Sequence, residues 1–339
     1  QNQFTEWKGT KAMAAKRRRG SRKRKAPVKN LRWWLFTIAA AVCLLVDVLA
    51  DQGLIPGWDE LGGAVGNRVP QQSAAVPETV LDAVHFIDVG QGDSVLLQSA
   101  GHYALIDAGV RDSKEAILDY LDSLGVTKLD YVFMTHPHAD HIGSMAAVLK
   151  QYEIGQMILP NIDNGPEPTT STYERVLDVL EEKNIPTTCA SPEDTYSLGN
   201  GCITILGDGV KTDNLNNTST ALRFDANGLS LVATGDGEKE VEKQLLAAKK
   251  KELQADVYKA AHHGSSTSNT LEFLQAVSPQ VVVVSCGKDN SYGHPHKEAM
   301  QNFAAVGAQV LRTDELGSIA VWEQEGEVHY ACTAGKDAA

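Results

Sequence analysis

Cysteine is scarce in this sequence, and positive charge is scarce over most of its length. Only five of the 339 residues are cysteines and no two form a C-x-x-C pair, which argues against a zinc site built from thiolates. A Cys189–Cys202 disulfide stays open, because the spacing neither requires nor forbids it. After residue 32 the chain holds 19 basic and 42 acidic residues. That body lacks the broad basic surface with which proteins usually grip long nucleic acids.

Long apolar runs are also missing, with one exception near the N-terminus. Residues 33–50 read WWLFTIAAAVCLLVDVLA, a length that just spans a hydrocarbon core of about 30 Å. Residues 1–32 carry 12 Lys and Arg against the single acid Glu6, which predicts a basic cytoplasmic tail and an extracytoplasmic body. A nucleic-acid-binding tail is the alternative. We favour a retained transmembrane anchor at 33–50; cleavage after Val48-Leu49-Ala50 would instead give a secreted protein.

The remainder of the chain divides by composition and periodicity. Residues 51–82 are rich in Gly, Pro, Gln and Ala and predict a linker, and residues 333–339 a short C-terminal tail. Between them, residues 83–332 show two halves, each opening with short β-type runs and continuing with helical segments. This alternation predicts an α/β domain in which two sheets pack between outer helices, an αββα sandwich.

The strongest chemical signal is the stretch HPHADH at 136–141. It follows the apolar strand predicted at 131–134 and opens into a helical run, so His136, His138, Asp140 and His141 share one strand-to-helix turn. Imidazole and carboxylate together suit zinc, manganese or iron. The alternative is a polar loop rich in histidine by chance, but three of the ten histidines lie within six residues.

Two later strands end in residues of the same chemistry. The apolar run 231–234 leads into Gly235-Asp236, and the run 257–261 leads into His262-His263-Gly264. A carboxylate at a strand end could bridge two metal ions, although such an Asp is also a common turn former or helix N-cap. The histidine pair could likewise be a packed structural pair. Beside the first cluster, at least one of the two is better explained as a ligand.

These motifs, in this order, resemble those of the metallo-β-lactamase superfamily. Further stretches resemble the hydrolase domain of the ComEC family of competence proteins over roughly residues 83–330: FIDVGQGDS at 86–94, LIDAG at 105–109, NNTS at 216–219, SCG at 285–287 and YGHPH at 292–296. The resemblance implies the metallo-β-lactamase fold, one or two divalent metal ions (Zn or Mn) and hydrolysis by a metal-activated water.

The resemblance also assigns roles to individual residues. His136 and His138 would hold one ion; Asp140, His141 and either His262 or His263 would hold the second. Asp236 would bridge the two ions, and Asp140 or Asp236 would orient the attacking water. The other residues expected beside the ligands or the substrate are Asp88, Asp107 (accepting from a ligand imidazole), Asn216, Ser219, Tyr292 and His294 (hydrogen-bonding a phosphoryl oxygen).

One departure from the superfamily pattern concerns the first ion. Many members supply a third histidine between the two halves of the site, but this chain has no histidine from Ile142 to Gly235. Asn216 stands about where that ligand is expected, and a neutral amide is a poor zinc ligand. We therefore expect one firmly held ion and one that binds weakly or prefers a harder metal such as manganese.

For function, the resemblance implies a phosphodiesterase or nuclease, with single-stranded DNA as the candidate substrate and DNA uptake as the setting. The acidic body motivates an alternative, an esterase of small or cell-wall phosphodiesters such as teichoic-acid phosphocholine, and β-lactam or lactone hydrolysis is a further one. A different class is a degenerate, non-catalytic envelope binding module. The loop Gly90-Gln91-Gly92 is either an oxyanion cradle or a tight turn.

Overall fold

The computed structural model describes residues 70–73 and 75–333. The predicted basic tail (1–32) and transmembrane anchor (33–50) lie outside the described residues, as do most of the predicted linker and C-terminal tail. No helix within the described ranges is both long and apolar enough to cross a membrane. The predicted hydrolase region, 83–332, is described throughout.

The described residues form strands and helices that alternate along the chain. The strands are β1 Gln71–Gln72, β2 Asp82–Phe86, β3 Val95–Ser99, β4 His102–Ile106, β5 Lys128–Phe133, β6 Glu153–Leu159, β7 Thr187–Cys189, β8 Thr195–Leu198, β9 Gly201–Gly207, β10 Ala221–Ala226, β11 Leu229–Ala233, β12 Val257–Lys259, β13 Val281–Val284, β14 Gln309–Arg312, β15 Ile319–Gln324 and β16 Glu327–Cys332. The α-helices are α1 Lys114–Ser123, α2 Ala139–Ile142, α3 Met145–Gln151, α4 Ser171–Glu182, α5 Lys239–Lys249, α6 Leu271–Val277, α7 Lys297–Ala305 and α8 Thr313–Leu316. Short 3-10 turns cover Arg111–Ser113, Ile162–Asn164, Leu215–Thr218 and Ala261–Gly264.

The strands build two mixed sheets. The first has nine strands in the order β1-β16-β15-β2-β3-β4-β5-β6-β7, and the second has seven in the order β14-β13-β12-β11-β10-β9-β8. Strands β4 to β7 are parallel to one another, as are β11 to β14, whereas β2, β3 and β4 pair antiparallel. Each half therefore begins as a meander and ends as a parallel βα array.

Alternation along the strands divides the core into layers, because successive side chains of a strand point to opposite faces. Phe86 and Leu97 of the first sheet pack with Phe224 of the second in one cluster between the sheets. Leu96 points the other way and packs with residues of α1, α3 and α4. A third cluster joins the outer face of the second sheet to α5, α6 and α7. The predicted αββα sandwich is confirmed.

Three local details complete the description. The helical run that opens from the HPHADH stretch is divided into α2 and α3, and Gly143 between them packs so closely that a β-carbon would collide with the backbone of Arg111. Within the predicted linker, β1 pairs parallel with β16. Cys189 and Cys202, whose pairing the sequence left open, are both free thiols.

The chemistry-bearing residues follow the carboxyl ends of neighbouring strands. Asp107 comes directly after β4, the HPHADH stretch follows β5, Asp236 follows β11, and the histidine pair follows β12. Because β4 and β5 are parallel, as are β11 and β12, these ends lie at common sheet edges. Ligand sites of open α/β sheets are typically found at such edges.

Candidate metal centre

Two groups of ligand atoms converge at this edge and share one carboxylate. The first ligand group contains His136, His138 and Asp236; the second contains Asp140, His141, Asp236 and His263. Within each group the donor atoms all lie within 4.8 Å of one another. Asp236 Oδ1 is 3.2 Å from His141 Nε2, whereas Asp236 Oδ2 is 3.8 Å from His136 Nε2. The two oxygens of Asp236 thus face different groups, as a bridging carboxylate requires.

The HPHADH stretch delivers its side chains through the junction between strand and helix. His136 follows the end of β5, and His138 is the N-cap residue of α2 with extended backbone. Asp140 and His141 then occupy the first turn of α2. His136 and His141 are fully buried, while the Asp140 side chain keeps 31% of its surface exposed. Asp140 is therefore the carboxylate of the second ligand group that faces solvent.

The structure distinguishes between the two adjacent histidines. His263 is buried; its Nδ1 donates to the Ser285 carbonyl oxygen at 3.0 Å and its Nε2 lies 3.3 Å from Asp140 Oδ2. His262 belongs to neither ligand group, although its Nε2 is 3.7 Å from Asp236 Oδ2. His263 accordingly occupies the position that the sequence left open between the pair, and His262 lies at the edge of the site.

The backbone at this pair is unusual. His262 and His263 both have left-handed conformations, with φ of 49° and 54°. Asn269 holds the turn, because its Nδ2 donates to the carbonyl oxygens of Ala261 (3.0 Å) and Ser265 (2.9 Å). Left-handed backbone in a residue with a β-carbon is disfavoured and recurs at functional sites, where neighbouring contacts enforce it.

Several buried nitrogen and oxygen atoms of the second ligand group lack hydrogen-bond partners, as expected of atoms that bind a metal ion. His141 Nε2, Asp236 Oδ1 and His263 Nε2 are all buried, and none has a hydrogen-bond partner among the described residues. A buried polar atom left unsatisfied costs roughly 1–3 kcal/mol. All three belong to the second ligand group, so one divalent cation would satisfy them together. The donor set of imidazoles and carboxylates fits such an ion.

The electrostatics of the site also favour a cation. Burial disfavours charge on His141, but Asp236 and Asp107 outweigh it and raise the pKa of His141 well above its ordinary value. Against the same opposing effect of burial, Asp236 and Asp93 raise the pKa of His263 to about 9. Although burial opposes ionisation of Asp236, these imidazoles hold its pKa well below the ordinary range. Protons thus occupy positions for which a divalent ion would compete.

Asp107 and Ser219 support the ligands from behind. Asp107 Oδ2 accepts from His141 Nδ1 at 2.7 Å, and both Asp107 oxygens accept from Thr135, through its N–H (2.8 Å) and its hydroxyl (2.6 Å). Ser219 Oγ accepts from the backbone N–H of Asp236 at 3.1 Å. Both residues therefore lie beside the two ligand groups, and the hydrogen bond from Asp107 fixes the orientation of the His141 imidazole.

Two other expected residues make different contacts. Asn216 is in neither ligand group; its Nδ2 is 3.4 Å from Glu238 Oε1, and its buried Oδ1 has no hydrogen-bond partner in the described chain. Asp88 stabilises a turn, since its Oδ1 accepts from the backbone N–H of Gly90 at 3.1 Å. The Gln91 side chain accepts from the Gly287 N–H at 3.1 Å. These contacts favour a tight turn for Gly90-Gln91-Gly92 over an oxyanion cradle.

Tyr292 and His294 lie at the opening of the site. Asn290 fixes the loop, because its Oδ1 accepts from the His294 N–H (2.9 Å) and its Nδ2 donates to the His294 carbonyl oxygen (2.7 Å). Burial and the neighbouring His263 and His262 lower the pKa of His294 to about 4, which leaves a neutral imidazole at neutral pH. The Tyr292 ring is 64% exposed and stacks on His294 with centroids 5.6 Å apart.

Sequence reasoning assigned no role to three further residues at the site. Lys259 is fully buried and lies against Asp93, which in turn approaches His263. Glu238 accepts from the side-chain amides of Asn214 and Asn216. A lone lysine that ends an otherwise apolar strand three residues before a histidine pair was a usable signal for Lys259.

Comparisons with known proteins identify the family of the chain. A family model described as the metallo-beta-lactamase superfamily matches residues 87–288. ComE operon protein 3 of Bacillus subtilis is 30% identical over 256 residues, covering 70% of this chain and 32% of that protein. Competence protein ComA of Neisseria gonorrhoeae is 30% identical over 291 residues, covering 83% and 38%. The chain thus spans about a third of the length of these relatives. Among solved structures, the metallo-beta-lactamase fold protein YhfI from Bacillus subtilis shares 15% identity with a TM-score of 0.47, covering 68% of this chain and 96% of that one.

Proposed function

The chain belongs to the metallo-β-lactamase superfamily and resembles the competence protein ComEC, and on that premise we propose that it is a metal-dependent phosphodiesterase whose substrate is single-stranded DNA. The observation that carries the proposal is the pair of ligand groups joined by Asp236, with unsatisfied buried atoms facing inward. One of the two relatives is named a competence protein, which supports DNA as the substrate.

The first and second ligand groups would each hold a divalent ion. Bound there, the ions would supply a hydroxide nucleophile near neutral pH and Lewis acidity towards the phosphoryl oxygens. Asp140 reaches the solvent-facing side of the second group and can orient the attacking water. Asp107 holds the His141 imidazole through Nδ1 and so directs Nε2 into the site.

His294 is suited to donate a hydrogen bond to the substrate. The Gly287 N–H fixes the Gln91 amide by donating to its oxygen, so the Gln91 nitrogen faces His294 Nδ1 at 3.4 Å. Because that nitrogen is a donor, Nδ1 of the neutral imidazole accepts and the ring proton resides on Nε2. The Nε2–H group is then available to a phosphoryl oxygen.

A second candidate is an esterase of small or cell-wall phosphodiesters. The surplus of 42 acidic over 19 basic residues after residue 32 favours it, since a long polyanion would be repelled by such a body. The exposed Tyr292 ring beside His294 favours DNA, because aromatic side chains stack on unpaired bases. Lactam or lactone opening and a non-catalytic binding role remain further alternatives.

The test uses the purified full chain loaded with Mn²⁺ or Zn²⁺. Cleavage of an end-labelled single-stranded oligonucleotide, and its loss in His138→Ala, is the expected result. Cleavage of bis(p-nitrophenyl) phosphate or glycerophosphocholine without DNA cleavage would favour the small-substrate esterase. Bound metal with no phosphodiester turnover would redirect the search to lactams and lactones, and absence of bound metal would favour the binding module.

The proposed place of action is outside the cytoplasm, with the protein held by an anchor at residues 33–50. This rests on the basic residues that precede the apolar run. In cells, a protease added to spheroplasts should degrade residues 83–332, while an N-terminal epitope stays protected until the membrane is permeabilised. Protection of both parts would contradict the proposed topology.

A further inference from the structure

A buried ion pair lies directly behind the second ligand group. The Lys259 side chain is 1% exposed, and its ammonium is 2.8 Å from Asp93 Oδ1 and 2.9 Å from the Ala260 carbonyl oxygen. Lysine is almost never fully buried unless it is paired. The pair joins β12 to the loop that precedes β3, two parts of the chain far apart in sequence.

Asp93 contacts a ligand histidine on the side opposite to its metal-facing nitrogen. Asp93 Oδ1 lies 3.3 Å from His263 Nδ1, while His263 Nε2 belongs to the second ligand group. Asp107 lies behind His141 in the same way, where it accepts a hydrogen bond from Nδ1 at 2.7 Å, whereas the contact of Asp93 with His263 is electrostatic. A carboxylate in this position sets the tautomer and orientation of a ligand imidazole. The two histidines of the second ligand group thus each have a carboxylate behind them.

The site contains several carboxylates whose negative charge needs positive charge nearby. Asp93, Asp107, Asp140 and Asp236 all lie within the network of ligand and supporting residues. In the described chain, Lys259 is the single lysine or arginine that forms an ion pair with any of them.

We propose that Asp93 and Lys259 act as one positioning unit for His263, in which Lys259 holds the buried Asp93 carboxylate in place so that it orients the imidazole towards the second metal ion. The inference rests on the metal centre of the proposed function. Ser285 shares the task, because its carbonyl oxygen accepts the hydrogen bond from His263 Nδ1, whereas Asp93 acts on the same nitrogen through charge at 3.3 Å. Neither Asp93 nor Lys259 is required to touch substrate.

The first experiment measures metal affinity of the full chain carrying Asp93→Asn. Titration with Co²⁺ against a competing chelator should show the tighter ion bound about 10–100-fold more weakly, the range for lost outer contacts of metal ligands. The Co²⁺ absorption bands of that ion should change, because the His263 imidazole is no longer held. Bands and affinity that match the unsubstituted chain would overturn the proposal.

Asp82→Asn is the matched control. Asp82 is another buried carboxylate, which accepts from Ser99 Oγ and from Asn227 Nδ2 and belongs to neither ligand group. Its substitution should lower the unfolding temperature without changing Co²⁺ affinity or absorption. If Asp82→Asn weakens Co²⁺ binding as much as Asp93→Asn does, the effect is general destabilisation and the proposal fails.

The second experiment tests whether the pair acts as a unit. Lys259→Met leaves a buried carboxylate without its counter-charge, so we expect poor folding of that variant, whereas Asp93→Asn/Lys259→Met removes both charges and should fold. The double variant should bind Co²⁺ about as weakly as Asp93→Asn alone, because residues of one network are not additive. A further large loss of affinity would show that Lys259 acts independently of Asp93.

Metal binding by the unsubstituted chain is the reference measurement. If the unsubstituted chain binds no Co²⁺, Mn²⁺ or Zn²⁺, the proposed function itself fails. If the unsubstituted chain binds metal and the Asp93 variants bind it as tightly as Asp82→Asn does, the metal centre stands and the positioning role is wrong.

Discussion

Replacing Asp236 with asparagine should disable both ligand groups at once. The amide has nearly the same volume, so the fold should persist, but the charge that both groups share is lost. Asp236 is 2% exposed, and its oxygens lie 3.2 Å from His141 Nε2 and 3.8 Å from His136 Nε2. At an effective dielectric of about 20, one charge pair about 4 Å apart is worth roughly 4 kcal/mol.

That energy corresponds to about a thousandfold in a binding constant. We therefore expect each ion to bind on the order of a thousandfold more weakly in Asp236→Asn, with a comparable loss of phosphodiester cleavage at limiting metal. Metal content after gel filtration, metal titration of the stripped protein, and Mn²⁺-dependent cleavage of single-stranded DNA measure these effects separately.

Asp256→Asn is the control for this substitution. Asp256 precedes β12 at the opposite end of that strand, where Oδ2 accepts from the Ser230 N–H (3.0 Å) and Oδ1 from Gln280 (2.9 Å). It should alter stability without altering metal binding. Retention of both ions and of cleavage by Asp236→Asn would refute the assignment of Asp236 as the shared carboxylate.

Three further substitutions give independent tests. Tyr292→Ala should raise KM for single-stranded DNA about tenfold or more with kcat little changed, since a stacked base contributes roughly 1–3 kcal/mol; an unchanged KM would remove Tyr292 from the substrate site. Gly92→Ala should lower the free energy of unfolding by about 1–3 kcal/mol and loosen metal binding, because its β-carbon would collide with the Asp140 carbonyl oxygen; thermal melts identical to wild type would contradict this. Burial lowers the pKa of His85 from 6.5 to about 4, so the unfolded state binds more protons in this window and stability falls as pH falls from 6.5 to 4. His85→Gln should remove up to about 3 kcal/mol of that acid sensitivity in denaturation measured across the window, and a pH profile parallel to wild type would disprove it.

The sequence predicts the fold and the ligand stretches well because each depends on local pattern. The residues of the HPHADH stretch lie together at one strand-to-helix turn, and the alternating apolar residues of the strands form the buried cluster between the two sheets. The local pattern is weak at β6 and β7: β6 contains Gly155 and Gln156, which interrupt its apolar run, and β7 has only three residues, all exposed. Which of His262 and His263 joins the second ligand group depends on the left-handed turn, and no residue type in that stretch predicts such a turn.

Contacts between residues far apart in sequence could not be predicted from the sequence either. Asp93 and Lys259 are separated by most of the folded domain in sequence, and neither shows its partner until β3 and β12 are placed. Asp88 accepts from the backbone N–H of Gly90, as an aspartate two residues before a glycine turn commonly does, and its role beside the substrate stays a prediction. Predictions that concern residues 1–69 stay predictions.

The left-handed backbone at His262 and His263 lowers the stability of the fold at a place where the site needs histidine side chains. Each such residue costs on the order of 1 kcal/mol or more, a penalty that glycine would not incur. Glycine at either position would therefore relax the turn but remove an imidazole from the site. Under selection for thermal resistance, substitution of this pair should raise stability at the expense of the candidate metal centre.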